Sequence, residues 1–470
     1  MVFEEKHLDE WLKLADSKDK GERMAAAQAL GSIASKAPAA VPTVVVPLGK
    51  MLKDDSAHVR RNASESLSLV GPNVKDAVPA LGDALKDGDA IVRKNAMKAL
   101  LNAGPEAVAA LPALIKVLDE GDRDLRPNAL KVIGQCNAEP TDVLPAIKKG
   151  LGDRSLAKDA VNMAVKIGEP AVPMLIEVLE GTDVNANNHA AKALIRLGPK
   201  AKSAVPALSK ALYDKDGTLR GNAADALAAI GPDAAAATDA LLDRLGDDDA
   251  CSSAAKALIT IGPKQEWIPR LIAVLKDGSR NEKAAAATLL GVLGKPAIDP
   301  LLDVMRINNA DTLEQAAYAL GKIGPEARPA LDKLFVLLQD NDANVCQYAG
   351  IAMDRIGLDE NLIPRLVEVV KSEKGYGRSD ACTLLCKEKL RKKGVPQLAL
   401  LLTMSGDDGL KPAAILDILA ALQKLPPADG KPAIDAIVKL LQNEDEETKR
   451  SAARVLKKID PATAAKNGVK

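Results

Sequence analysis

Aromatic side chains are nearly missing from this sequence: two Trp, four Tyr and two Phe make up 2% of its 470 residues. β-Sandwich cores are built from β-branched and aromatic residues, so this composition argues against one. Net charge is also missing, with 64 Lys and Arg against 64 Asp and Glu. No overall field therefore draws the chain to nucleic acid or to an anionic membrane. No run of apolar residues reaches the length of a membrane span, so no transmembrane helix is expected. The opening MVFEEKHLDEWLKLADSKD is acidic and lacks the apolar stretch of a signal peptide. Cysteine is sparse and odd in number (Cys136, Cys251, Cys346, Cys382 and Cys386). That is no disulfide framework and fits a reducing compartment. Cytoplasm is the expected location, with a removed signal peptide as the alternative.

Catalytic signatures are missing too. None of the Gly-Lys pairs is followed by Ser or Thr, so there is no phosphate-binding loop of the Gly-x-x-x-x-Gly-Lys-Ser/Thr kind. There is no Gly-x-Ser-x-Gly elbow. The three histidines, His7, His58 and His189, are far apart in the chain. No enzyme activity, cofactor or metal site is expected.

What is present is 47% hydrophobic residues, dominated by Ala, Leu, Val and Ile. Ala and Leu lead the helix propensity scale, and an all-α fold follows. A chain this long exceeds a single core, which stops growing at roughly 250–300 residues; it must be several domains or an array. The array is visible. VGPNVKDAVPALGDALKDGDAIVRKNAMKALLNAGP (70–105) returns as LGPKAKSAVPALSKALYDKDGTLRGNAADALAAIGP (197–232). Glycines that read as helix ends stand at 71, 104, 134, 168, 198, 231, 262, 294, 324 and 357, at intervals of 30–34 residues.

Each unit reads as a helical hairpin. Val78, Leu81 and Leu85 make one apolar face of a first helix, and Pro79 sits where a missing N–H costs nothing. The KDGD cluster (86–89) breaks that helix and offers Asp89 as a cap for the next. Val92, Ala96, Leu100 and Ala103 form the buried stripe of the second helix, which Gly104 and Pro105 end. A lone hairpin cannot bury its apolar face, whereas stacked hairpins can. Degenerate copies extend the array to about 14 hairpins, or about 28 helices.

The string Asp-x-Asp-x-x-Val-Arg-x-x-Ala-x-x-Ala-Leu-x-x-Ile-Gly-Pro resembles the HEAT repeat, in the short variety shared with phycobilisome lyase subunits. The resemblance covers about residues 5–460 and implies an armadillo-like α–α superhelix, with 461–470 as a C-terminal tail. It implies one continuous solenoid, on the order of 120–140 Å along its axis at a helix spacing of roughly 8–10 Å. The insertion PTVVVPLGKMLKDD (42–55) is where a bend would fall. The resemblance also implies that second helices line the concave, partner-binding surface.

Three groups of residues invite a functional reading. Asp/Arg pairs recur (Asp54 or Asp55 with Arg60, Asp87 or Asp89 with Arg93, Asp122 with Arg126, Asp214 or Asp216 with Arg220). They are read as caps and inter-repeat bridges in preference to a charged binding ridge. Two residues after the Arg position runs a polar ladder: Asn62, Asn95, Asn128, Asp159, His189, Asn222 and Ser253. It lapses at Ala285 and resumes with Gln315, Tyr348 and Asp380. Such a ladder either grips an extended peptide or bonds the preceding repeat and stiffens the stack. Cys382 and Cys386 have metal-ligand spacing but no third ligand nearby, and buried free thiols are the commoner case. The basic run KEKLRKK (387–393) and the acidic runs at 246–249 and 444–447 read as solvated helix ends.

The functional expectation is a non-catalytic scaffold that binds a protein or an extended peptide, favoured as a monomer, with the seven ladder residues as candidate contacts. A lyase or chaperone-type subunit acting on a tetrapyrrole or a modified protein is the alternative that the resemblance raises. Nucleic-acid binding ranks last, because HEAT-like DNA glycosylases use aromatic side chains that this chain lacks.

Overall fold

The computed structural model describes residues 2–3, 6–372, 376–404 and 410–469. Glu5, where the repeat array was expected to begin, lies outside them. Among the described residues the helices pair off into fourteen successive hairpins, from Leu8–Leu14 with Lys20–Lys36 to Ile434–Leu440 with Glu446–Ile459. Several first helices are only six or seven residues long, so well-developed helices number somewhat fewer than the 28 expected. An antiparallel pairing of Val2–Phe3 with Lys6–His7 precedes them. The last hairpin is followed by a short helix, Pro461–Lys466, within the segment expected as a tail.

Local chemistry sets the unit. Asp89 accepts from the backbone N–H groups of Ile91 and Val92 and caps the second helix Ala90–Ala103. Asp19, Asp183, Asp216, Asp342 and Asp445 cap their own second helices in the same way. The anticipated stripe of Val92, Ala96, Leu100 and Ala103 is buried, as are Val78, Leu81 and Leu85 of the first helix. At the far end Gly104 takes φ 55°, a left-handed conformation, and the chain reverses through a 3₁₀ turn into the next first helix. This reversal resolves an ambiguity in residues 90–120, which are long and apolar enough to cross a membrane if taken as one helix. They are two helices of 14 and 10 residues, each short of the roughly 20 residues that a span requires.

Nine of the ten punctuating glycines have positive φ; Gly134 does not. It lies inside the helix Arg126–Gln135, which ends on Cys136 in an extended conformation. Gly134 faces Met163 of the next hairpin, where a Cβ would make ordinary contact with the sulfur at 3.4 Å. The extra residues at 42–55 are absorbed in an 11-residue first helix, Val41–Met51, against seven in Val78–Ala84.

The chain divides into two compact units, 1–241 and 242–470. In each, second helices pack side by side in one layer while their first helices form the other. Leucines from both layers, such as Leu30, Leu48, Leu67, Leu81 and Leu100 in the first unit, are fully buried between them. Each contributes about 1.5–3 kcal/mol of burial.

Candidate partner-binding face

The recurrent arginines are structural. Arg60 on the second helix Ala57–Val70 forks onto both carboxylate oxygens of Asp87 in the next hairpin, at 2.7 and 3.0 Å. Its other arm donates to the carbonyls of Asp54 and Asp55 in its own turn. Arg23 does the same with Asp54, while Arg93 brings two N–H groups to a single oxygen of Asp122. Two of these aspartates are further tied by their own turns: Asp54 accepts from the N–H of Ser56 and Asp87 from that of Asp89. The guanidinium beside Asp54 holds that carboxyl below the usual carboxylate range. A staple therefore joins consecutive hairpins along one edge, as the capping-and-bridging reading expected.

The staple is uneven along the chain: it returns at Arg220, which donates to the turn carbonyls of Asp214 and Lys215, and at Arg378, which pairs with Asp417. Arg126 reaches Asp153 only at 3.5 Å and leaves its buried Nε without a partner. Ala157 and Leu313 stand where the arginine would be, and at Cys346 only a thiol reaches the turn carbonyl of Asp340. Asn187 takes over the carbonyl contact by donating to Gly181. Lys283, also buried, reaches the cap residue Asn309 and Thr312 of the following hairpin.

The polar ladder divides. Asn62 donates to the carbonyl of Met24, Asn95 to the hydroxyl of Ser64, and Asn222 to the side-chain oxygen of Asn188. The Nδ1 of His189 lies 2.9 Å from the carbonyl of Leu151. All four are half-buried and bond the preceding hairpin. Asn128 and Asp159 are exposed and Ser253 is half-exposed, with no side-chain hydrogen bond among the described residues. The structure thus ties four rungs into the stack and leaves three facing outward.

The remaining sequence features are spent locally. Cys382 and Cys386 are buried, and burial pushes the Cys386 thiol up to about 12. Among the described residues no cluster of three or more metal-binding side chains exists. In the basic run, Lys387 pairs with Asp354 at 2.6 Å, Arg391 with Asp429 and Lys393 with Glu360. A hollow of about 650 Å³ lies between the first helices Ile363–Lys371 and Arg391–Leu402. Of its three cations among the described residues, Arg365 and Lys393 are already paired with Asp332 and Glu360, which leaves Lys392.

The second-helix layer of residues 251–356 is different. A hollow of about 480 Å³ opens between Cys251–Ile261 and Arg280–Leu293, floored by Cys251, Ala255, Ala284 and Ala285. Two helices further on, Tyr318 and Tyr348 meet edge to face, with ring centroids 6.4 Å apart and planes at 81°. Both are half-buried, and Ile351 beside them is 39% exposed. The helices that carry them, Ala310–Ile323 and Ala343–Ile356, approach so closely at Gly321 that a Cβ there would lie 2.8 Å from the Cα of Ala352. Sequence reasoning included Tyr348 in the ladder but missed the pair. The available signal was the position six residues before the helix-ending glycine: Lys98, Lys192, Asp225 and Lys256 in earlier hairpins, then Tyr318 and Ile351.

Comparison with known proteins accords with this architecture. A family model described as HEAT repeats matches residues 45–111, 172–262 and 268–353, just over half of the chain. No curated protein matches the sequence. Among solved structures, an engineered protein is 24% identical, covering 47% of this chain and 96% of its own, with a TM-score of 0.25. Importin beta is 14% identical over 96% of this chain and 74% of its own, with a TM-score of 0.44. Kap95p, solved with RanGDP, is 13% identical over 97% of this chain and 72% of its own, with a TM-score of 0.46.

Proposed function

The chain belongs to the HEAT-repeat family, and from that premise we propose that it is a non-catalytic scaffold whose second-helix layer binds a partner protein or an extended peptide. The observation that carries this reading is the Tyr318–Tyr348 pair with Ile351 beside it. In a chain with eight aromatic residues, two stand half-exposed on neighbouring second helices. Aromatic side chains dominate the cores of interfaces because they bury large areas at little conformational cost. The hollow beside Cys251 adds a concave contact for one side chain of the partner. Asn128, Asp159 and Ser253 keep polar groups available for hydrogen bonds, while Asn62, Asn95, His189 and Asn222 hold the surface in shape.

The test is quantitative capture. The full chain and its Tyr318→Ala/Tyr348→Ala variant are used as bait, followed by elution and mass spectrometry. Proteins recovered by the wild type and lost at least tenfold by the variant support the scaffold reading. Identical recoveries from both, with the variant folded by circular dichroism, refute it.

A further inference from the structure

Next to the tyrosine pair, on the following second helix Arg378–Leu385, stands a carboxylate with an unusual setting. Asp380 is half-buried, and its Cβ packs where glycine 350 leaves room: a Cβ at Gly350 would approach it to 3.0 Å. Unlike Asp54, Asp87 and Asp153, it has no hydrogen bond or ion pair among the described residues. Its neighbour Asp417 is already held by Arg378 at 3.3 Å. Lys424 acts on it favourably and Asp417 unfavourably, while burial pushes its carboxyl up from the ordinary value. A partly desolvated charge with no bonded partner costs stability. A cation brought by a ligand would recover that cost, whereas an anion would meet two carboxylates.

We infer that the second-helix face from Ala310 to Leu385 takes an extended partner segment bearing an apolar anchor and, about three residues away, a Lys or Arg. The anchor rests on Tyr318, Tyr348 and Ile351, and the cation meets the carboxylate of Asp380. The spacing follows from geometry: adjacent helices lie roughly 8–10 Å apart and an extended chain advances about 3.3 Å per residue. This rests on the scaffold reading and adds the chemistry of the partner to it.

The experiment uses the folded full chain against an array of immobilised ten-residue peptides. Each carries one Leu, with Lys, Gln or Glu placed from one to five residues beyond it. The expected result is a preference for Lys over Gln of about tenfold, the scale of one desolvated charge pair, greatest near a spacing of three, with Glu weakest. Asp380→Asn should lower binding of the Lys peptide to the level of the Gln peptide and leave the Gln peptide unchanged. Tyr318→Ala/Tyr348→Ala should lose all of them. Equal binding of Lys, Gln and Glu peptides, or a Lys preference that survives Asp380→Asn, overturns the inference while leaving the scaffold reading in place, provided the tyrosine variant still loses binding. Binding indifferent to the tyrosines, or no binding by any peptide, overturns the inference; indifference to the tyrosines also removes the observation on which the scaffold reading stands.

Discussion

Replacing Arg60 with Met tests whether the staple between hairpins contributes what its geometry implies. The side chains of Arg60 and Asp87 are 19% and 10% exposed, between the exposed pairs worth about 0–1 kcal/mol and the buried pairs whose breakage costs about 3–5 kcal/mol. The substitution removes a two-pronged contact to the carboxylate and bonds to two carbonyls. A loss of about 2 kcal/mol is expected, and about 1 kcal/mol or more for Lys, which keeps the charge without the planar fork. A repeat array does not unfold in a single all-or-none step, so the readout is native-state hydrogen exchange in the helices Ala57–Val70 and Ala90–Ala103. There, about 2 kcal/mol means roughly thirtyfold faster exchange. Pairing the change with Asp87→Ala should show coupling. A change in protection below about 0.5 kcal/mol, or strict additivity of the two substitutions, would refute the reasoning.

Other consequences follow from the same geometry. Gly321→Ala should destabilise the chain by about 1–3 kcal/mol through overpacking against the backbone of Ala352, despite the better helix propensity of Ala; a raised thermal midpoint would contradict this. The carboxyls of Asp54, Asp83, Asp89 and Asp153 are all held low, the first three chiefly by bonds to Arg23, Lys53 and Arg61 and Asp153 chiefly by Ser155. A depressed native value contributes stability that is present above the unfolded value near about 3.9 and lost as pH falls through the native one. Thermal midpoints should therefore drop steeply below about pH 4. Asp380 has the opposite sign: its raised carboxyl favours the fold at low pH and opposes it once ionised. Asp380→Asn should raise the midpoint at pH 7 and have no effect in acid. Burial pushes the thiols of Cys136 and Cys386 up to about 11 and about 12, so Ellman's reagent should find no fast-reacting cysteine at pH 8 in the folded chain and five after denaturation.

Periodicity made the hairpins legible in advance, because helix ends, caps and buried stripes are all local properties. Gly134 shows the limit: a glycine at the right interval can lie inside a helix instead of ending it, and the interval alone does not decide which. The ladder shows another. Asn62 and Asn128 occupy equivalent places in sequence, yet one bonds the carbonyl of Met24 and the other faces solvent, because the helix Arg126–Gln135 enters through its own 3₁₀ turn at Arg123–Leu125. Tyr318 and Tyr348 lie at different offsets from their glycines, six and nine residues. Their meeting depends on the axial stagger of two packed helices, which no single-helix pattern encodes.

The uneven staple also has a bearing on how the protein comes apart. In an array where each hairpin is held only by its neighbours, stability propagates as a series of couplings, and the weakest coupling becomes the wall at which an unfolding front stops. The seam after Arg126, where the staple reaches Asp153 only at 3.5 Å and the helix Arg126–Gln135 packs thinly on Ala157–Ile167, places one such wall inside the first unit. A tug on that unit, or a protease nibbling from its end, would then release the chain in blocks set by that seam, not hairpin by hairpin.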